Sequence, residues 1–153
     1  MRLTIRTNLA MRVLMFCAVN KDRLVHSDDI ARQCNASANH LILVVNQLSQ
    51  AGLIRTLRGR RGGVRLEIPA AEITIGRVFR TFEAGVPFAE CFSDGENTCP
   101  LIGACRLRSA IGRALEAFYT ELDQITLEEL VCGNDELAAL FQDGPVGAVA
   151  CPA

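Results

Sequence analysis

Seven cysteines stand in this chain of 153 residues, and three of them fall close together. Cys91, Cys99 and Cys105 follow the spacing C-x7-C-x5-C inside a stretch punctuated by Gly85, Pro87, Gly95, Pro100 and Gly103. Thiolates on an irregular loop can converge on one inorganic centre without distorting regular structure, and a helix N-terminus lowers a thiol pKa. The spacing has neither the C-x2-C knuckles of common zinc sites nor that of ferredoxin cluster runs. From the residues alone zinc and an iron–sulfur cluster stand level, with a regulatory disulfide as a third reading. Cys17 on an apolar helix face and Cys34 beside a turn read as small buried hydrophobes. Cys132 and Cys151, near the chain end, are likewise expected to be dispensable. The histidines, His26 and His40, lie far from the cysteine group in sequence, and neither H-E-x-x-H nor a phosphate-loop lysine is present. Catalysis is not expected.

The second candidate chemistry is basic. The net charge is −1, but residues 1–80 hold thirteen Lys or Arg against five Asp or Glu, while residues 81–153 hold three Arg against twelve acids. A front half at +8 and a rear half at −9 imply a polyanion partner for the front half only. Arg55, Arg58, Arg60, Arg61 and Arg65 gather around the glycine-rich run Arg58–Gly63. Such arginines suit phosphates and a minor groove.

The elements that must position these groups are mostly helical. Leu9, Val13, Leu14, Phe16 and Cys17 recur at helical spacing over residues 7–19, with Thr7 or Asn8 as cap. Ser27 followed by Asp28 and Asp29 predicts a short helix over residues 28–34. Cys34-Asn35-Ala36 is a turn, and Ser37 caps a helix whose Leu41, Val44, Val45 and Leu48 face inward, ending at Gly52. Two short helices about a tight turn form a helix-turn-helix. Its second helix offers Ser37, Ala38, Asn39, His40 and Gln47 to a duplex, Asn being able to pair with adenine. Leu53–Leu57 and Val64–Leu66 flank the arginine-glycine tip as a hairpin, which makes the helix-turn-helix winged. Thr74 caps a further helix, residues 84–104 form a loop long enough to need a function, and a long helix runs from Cys105 to about Gln124. Ile111, Leu115, Phe118 and Leu122 give that helix an apolar stripe longer than one small domain can cover, so pairing with a second copy is expected. Thr126 caps a last helical turn or two.

The fold class is thus mainly α with a small β-hairpin. A winged helix-turn-helix occupies residues 1–83, a cysteine loop 84–104, a dimerisation helix region 105–132 and a C-terminal tail 133–153, its end disordered. Half the residues are hydrophobic and 22% charged, an ordinary globular balance. No apolar run approaches a bilayer span. Arg2, Arg6 and Arg12 interrupt the N-terminus, and no small-residue cleavage site follows, so a signal peptide is not expected. A cytoplasmic location, where thiols stay reduced, and no membrane partner are the resulting expectations.

These motifs resemble a known family. Met1-Arg2-Leu3-Thr4, the segment Asn46–Leu53, the wing Arg58–Leu66, the three-cysteine loop, Cys105-Arg106-Leu107, Ala117-Phe118-Tyr119, Leu122-Asp123 and Thr126-Leu127 are similar to the bacterial iron–sulfur winged-helix regulators of the NsrR, RirA and IscR types. The resemblance covers about residues 1–132 and implies a homodimeric repressor on palindromic double-stranded DNA. It implies an iron–sulfur cluster, 4Fe–4S ahead of 2Fe–2S, on Cys91, Cys99 and Cys105. In some nitric-oxide sensors of this family an aspartate stands where this chain has Asn8, which supplies no carboxylate. Asn8 and Arg12 are then expected near the cluster without ligating it. The helix-turn-helix and long helix resemble the NsrR type, implying nitric oxide as signal. The x7 spacing, Ala89-Glu90-Cys91-Phe92 and Asn8 resemble RirA, implying iron supply. A zinc-stabilised or thiol-switched DNA-binding module is the other alternative.

Overall fold

The computed structural model describes residues 3–59, 62–93, 95 and 97–141. Its centre is α1 (Ile5–Val19), apolar nearly all round, with Leu9, Ala10, Val13, Leu14, Phe16, Cys17 and Ala18 buried. A helix of that kind must be enclosed, and α3, α4, α6 and β2 pack on it. It begins a turn earlier than the sequence suggests. Thr4, with extended backbone, caps it by accepting from the Thr7 amide at 3.2 Å. Thr7 is itself buried, and its hydroxyl donates to the Glu83 carboxylate.

Next come α2 (Ser27–Gln33) and α3 (Ala38–Gln50). Ser27 is the first helical residue of α2 rather than its cap, a position that falls to His26. Asp28 and Asp29 still occupy the first turn, where acids complement the helix dipole. The turn between the helices passes through Asn35 at φ 48°, a left-handed conformation that Asn tolerates better than most residues. Ser37 caps α3, accepting from the His40 amide at 3.4 Å.

β1 (Ile54–Leu57) and β2 (Gly63–Leu66) pair antiparallel in the register Ile54–Leu66, Arg55–Arg65, Thr56–Val64 and Leu57–Gly63. Val64 also exchanges backbone bonds with Val25, at 3.0 and 2.8 Å, which fastens the hairpin to the body. At the tip the Gly62 amide donates to Gly59 at 2.8 Å, and a Cβ on Gly62 would lie 2.2 Å from the Leu57 carbonyl oxygen. The tight wing turn therefore needs glycine there.

After a 3₁₀ turn at Ala70–Glu72, α4 (Ile75–Glu83) is capped by Thr74. Another 3₁₀ turn, Glu90–Phe92, lies in the long loop. α5 (Arg106–Asp123) follows, capped by Cys105, then α6 (Leu127–Val131), whose capping box joins Thr126 and Glu129. The segment expected as a tail instead forms α7 (Asp135–Phe141), which docks back on α1. There Phe141 packs edge-on against Phe16, centroids 5.3 Å apart, and its carbonyl accepts from Asn20 Nδ2 at 3.2 Å. No described helix is long and apolar enough to cross a membrane.

Candidate nucleic-acid interface and thiol loop

The helix-turn-helix presents an open face. Ser37, Ala38, Asn39 and His40 are all exposed. Gln47 is not available there, because its Nε2 donates to the Thr81 carbonyl at 2.8 Å and ties α3 to α4. Ile42 and Leu43, which the sequence reading left out of the interface, are exposed on the same helix.

On the wing Arg58 is exposed, as are Arg55 and Arg65; Arg60 and Arg61 lie outside the described residues. Arg55 and Arg65 stand directly opposite each other across the ladder. Like charges in that position repel, and an anion against that face would offset the repulsion. The register thus supplies an electrostatic reason, beyond charge counting, for phosphate contact at the wing.

Asn8 and Arg12 lie one turn apart on the exposed side of α1. One Arg12 nitrogen donates to Asn8 Oδ1 and the other to the Cys34 carbonyl at 2.8 Å. Arg12 therefore links α1 to the turn of the helix-turn-helix.

Cys91, Cys99 and Cys105 are free thiols of intermediate exposure. Cys91 sits on the 3₁₀ turn, and Cys105 Sγ accepts from the Arg108 amide at 3.4 Å. The Arg108 side chain reaches back, its Nε donating to the Cys91 carbonyl at 2.8 Å, with its guanidinium 5.9 Å from the Phe92 ring centre. Glu90 accepts from both the amide and the hydroxyl of Thr98, which closes the loop just before Cys99 and holds the Glu90 carboxyl below its usual range. The backbone segments bearing the three cysteines are thus connected. Among the described residues, however, no three Cys, His, Asp or Glu side chains converge to hold a metal ion. The donor set fits an iron–sulfur cluster by chemical type: three free, half-exposed thiols lie along one loop, and Cys105 among them caps α5 beside Arg106 and Arg108. Cys17 and Cys34 are buried away from that loop, and Cys151 lies outside the described residues.

No residue of α5 is fully buried. Ile111, Leu115, Phe118 and Leu122 are all half-buried. Phe118 meets Phe79 of α4 at 6.1 Å, and Leu115 joins it on an open groove of about 500 Å³ with Leu3, Val86, Phe88 and Phe92. Arg80 anchors α5 to α4 through both Asp123 oxygens, at 2.6 and 2.7 Å.

A family model described as "Iron-dependent Transcriptional regulator" (Rrf2) matches residues 3–133. "Protein aau3" of Rhizobium meliloti is 45% identical over 141 residues, covering 92% of each chain. The "HTH-type transcriptional regulator NsrR" of Halalkalibacterium halodurans is 40% identical over 146 residues, covering 95% of this chain and all of the relative. Among solved structures, that of CymR, the global cysteine regulator of B. subtilis, superposes with a TM-score of 0.67 at 25% identity, covering 86% of this chain and 96% of that one.

Proposed function

The chain belongs to the Rrf2 family of transcriptional regulators, and from that premise we propose that it is a homodimeric repressor whose iron–sulfur cluster senses nitric oxide and sets its affinity for a palindromic operator. That it is a DNA-binding regulator and not an enzyme follows from the family. The observation supporting the sensing role is the linked loop of three accessible free thiols joined to α5 by Arg108. The cluster would be held by Cys91, Cys99 and Cys105, and when bound it would supply iron that reacts with a diatomic gas or is lost to a chelator. Nitric oxide as the signal rests on the resemblance to NsrR-type regulators.

The chain's own residues account for transmission. Arg108 ties the Cys91 carbonyl to the first turn of α5, and Arg80 ties the last turn of α5 to α4. Gln47 in turn fastens α4 to the recognition helix α3. In a dimer joined along α5, a rearranged loop would change the separation of the two recognition helices and shift the population away from the DNA-competent spacing. Arg58, Arg60 and Arg61 bind phosphates or the minor groove, while Ser37, Ala38, Asn39 and His40 meet base edges. Asn8 and Arg12 would stand near the cluster without ligating it.

Anaerobic absorbance and native mass measurement, during titration with nitric oxide and separately with an iron chelator, test this reading. A brown protein that loses its spectrum and its operator affinity at stoichiometric nitric oxide supports it. Iron supply is the second reading, favoured by the Asn8 side chain, which offers an amide bonded to Arg12 in place of a carboxylate. A cluster that survives nitric oxide but dissolves in mild chelator selects iron, and a colourless zinc protein overturns both.

A further inference from the structure

Two side chains on the recognition helix interrupt its polar outer face. Ile42 is 57% exposed and Leu43 is 51% exposed. Leu41, Val44, Val45 and Leu48 are buried, so at 3.6 residues per turn Asn39, Leu43 and Asn46 form the outermost stripe of α3, with Ile42 beside it. Ile42 and Asn46 rim a shallow groove shared with Ser27 and Asp28 of α2, while Leu43 and His40 border another beside Arg6 of α1. Isolated exposed apolar residues are common on protein surfaces. These two differ in lying between exposed amides, on the helix that the family and the wing electrostatics direct at a duplex.

The major groove displays one apolar group to such residues, the C5-methyl of thymine. A T·A pair also shows adenine N7 and N6 on the same edge, which an asparagine can engage bidentately. An apolar side chain one turn from an asparagine therefore matches a short run of T·A pairs. We propose that Ile42 and Leu43 determine operator specificity by packing on thymine methyl groups, with Asn39 and Asn46 reading the adjoining adenines. The proposal rests on the DNA-binding reading above and adds the feature of the sequence that is read.

Uracil isolates the methyl, since it preserves pairing and removes only that group. Full-length protein, reconstituted anaerobically with iron and sulfide, selects duplexes from a random pool. The preferred sequence is then resynthesised with uracil in place of thymine, one position at a time, and each duplex is measured by gel shift at fixed salt. At one or two positions in each half-site uracil is expected to weaken binding about fourfold, the effect of one buried methyl. The Ile42→Ala and Leu43→Ala proteins are expected to bind thymine and uracil duplexes alike at the matching position, each losing discrimination at its own site. Both residues are exposed, so circular dichroism of the variants should match the parent. Arg58→Ala is the control, weakening thymine and uracil duplexes equally and flattening the salt dependence. Specific binding that is indifferent to uracil at every position overturns methyl reading and leaves DNA binding intact. Failure to enrich any duplex overturns both.

Discussion

The first four helices and the segment that follows them are built on different terms. From α1 to α4 the chain builds a core that α6 and α7 complete: Phe16, Leu14, Leu48, Leu53 and Val78 are sealed from solvent, and caps at Thr4, Ser37 and Thr74 satisfy the helix starts. From residue 84 to the end of α5 no side chain is fully buried among those described. Leu101, Leu107, Val86 and Phe88 face solvent, and the free thiols stand half-exposed. The two regions also treat cysteine in opposite ways, using Cys17 and Cys34 as packing and leaving Cys91, Cys99 and Cys105 accessible. A region with its own core can hold a fixed DNA-binding surface. A region without one is free to take its arrangement from a ligand or a second copy, as the proposed sensing role requires.

The sharpest way to break that contrast is to remove the thiols. Serine at Cys91, Cys99 or Cys105 is expected to abolish the visible cluster spectrum and cluster-dependent operator binding, with far-ultraviolet circular dichroism unchanged. Serine at Cys17 or Cys34 should leave the spectrum in place. A protein lacking all three loop cysteines that still bound iron and sulfide would falsify the assignment.

Packing gives the next largest effects. Phe16→Ala empties a sealed site that includes the Phe141 contact, and a loss of about 3–5 kcal/mol in thermal or denaturant unfolding is expected. Leu122→Asp on half-buried α5 should affect monomer stability far less and assembly strongly. A charge left unpaired in a closed interface costs several kcal/mol in order of magnitude, so light scattering should report monomer. A persistent dimer would remove α5 from the interface.

How much of this was legible in the sequence follows the same division. Ser37, Thr74 and Thr126 announced three helix starts because a capping hydroxyl is a local signal. The hairpin was legible because its glycines and arginines sit between two apolar runs. Thr4 was overlooked as a cap, since Thr7 and Asn8 offered equally good local chemistry and only the distant Glu83 decides between them. Leu41 to Val45 is an unbroken apolar run, so periodicity alone could not show that Ile42 and Leu43 turn outward. Gln47 looked like a base reader until the fold brought the Thr81 carbonyl beside it. α7 is too short for periodicity, and its Phe141 contact with Phe16 spans almost the whole chain. The spacing of the thiols left the bound species open, because ligand type and count do not fix the centre that three cysteines hold.

The buried thiols give a pH test of intermediate size. Burial, with a smaller contribution from Cys34, pushes Cys17 up to about 12, and burial against the opposing pull of Arg12 pushes Cys34 up to about 11. Both stay protonated in the fold while an unfolded cysteine ionises near 9. Their contribution to stability is therefore fully present below pH 9 and is lost as pH rises through 11 to 12. Cys17→Ala should flatten that alkaline decline in denaturant midpoints. In cluster-free protein at pH 8, iodoacetamide should modify the loop thiols and spare Cys17 and Cys34 until the chain unfolds. Equal reactivity of all five would erase the distinction between the regions.

The smallest expected effect tests the join between them. Arg80 holds both Asp123 oxygens, approaches Glu116 at 3.7 Å and lies 4.7 Å from the Tyr119 ring centre. Gly76 makes room for this arrangement, since a Cβ there would stand 2.0 Å from Asp123 Oδ1. The guanidinium is 40% exposed and screened by solvent, so Arg80→Ala should lower stability only slightly. Its functional consequence should be larger than its stability cost. If α5 reports the state of the thiol loop to α3 through this contact, removing it should bring operator affinities with and without the cluster towards each other. The cluster-free affinity itself should stay unchanged. Gel shifts of both forms give that ratio directly, and a ratio equal to that of the parent protein would place the coupling in the Phe79–Phe118 contact or the dimer interface instead.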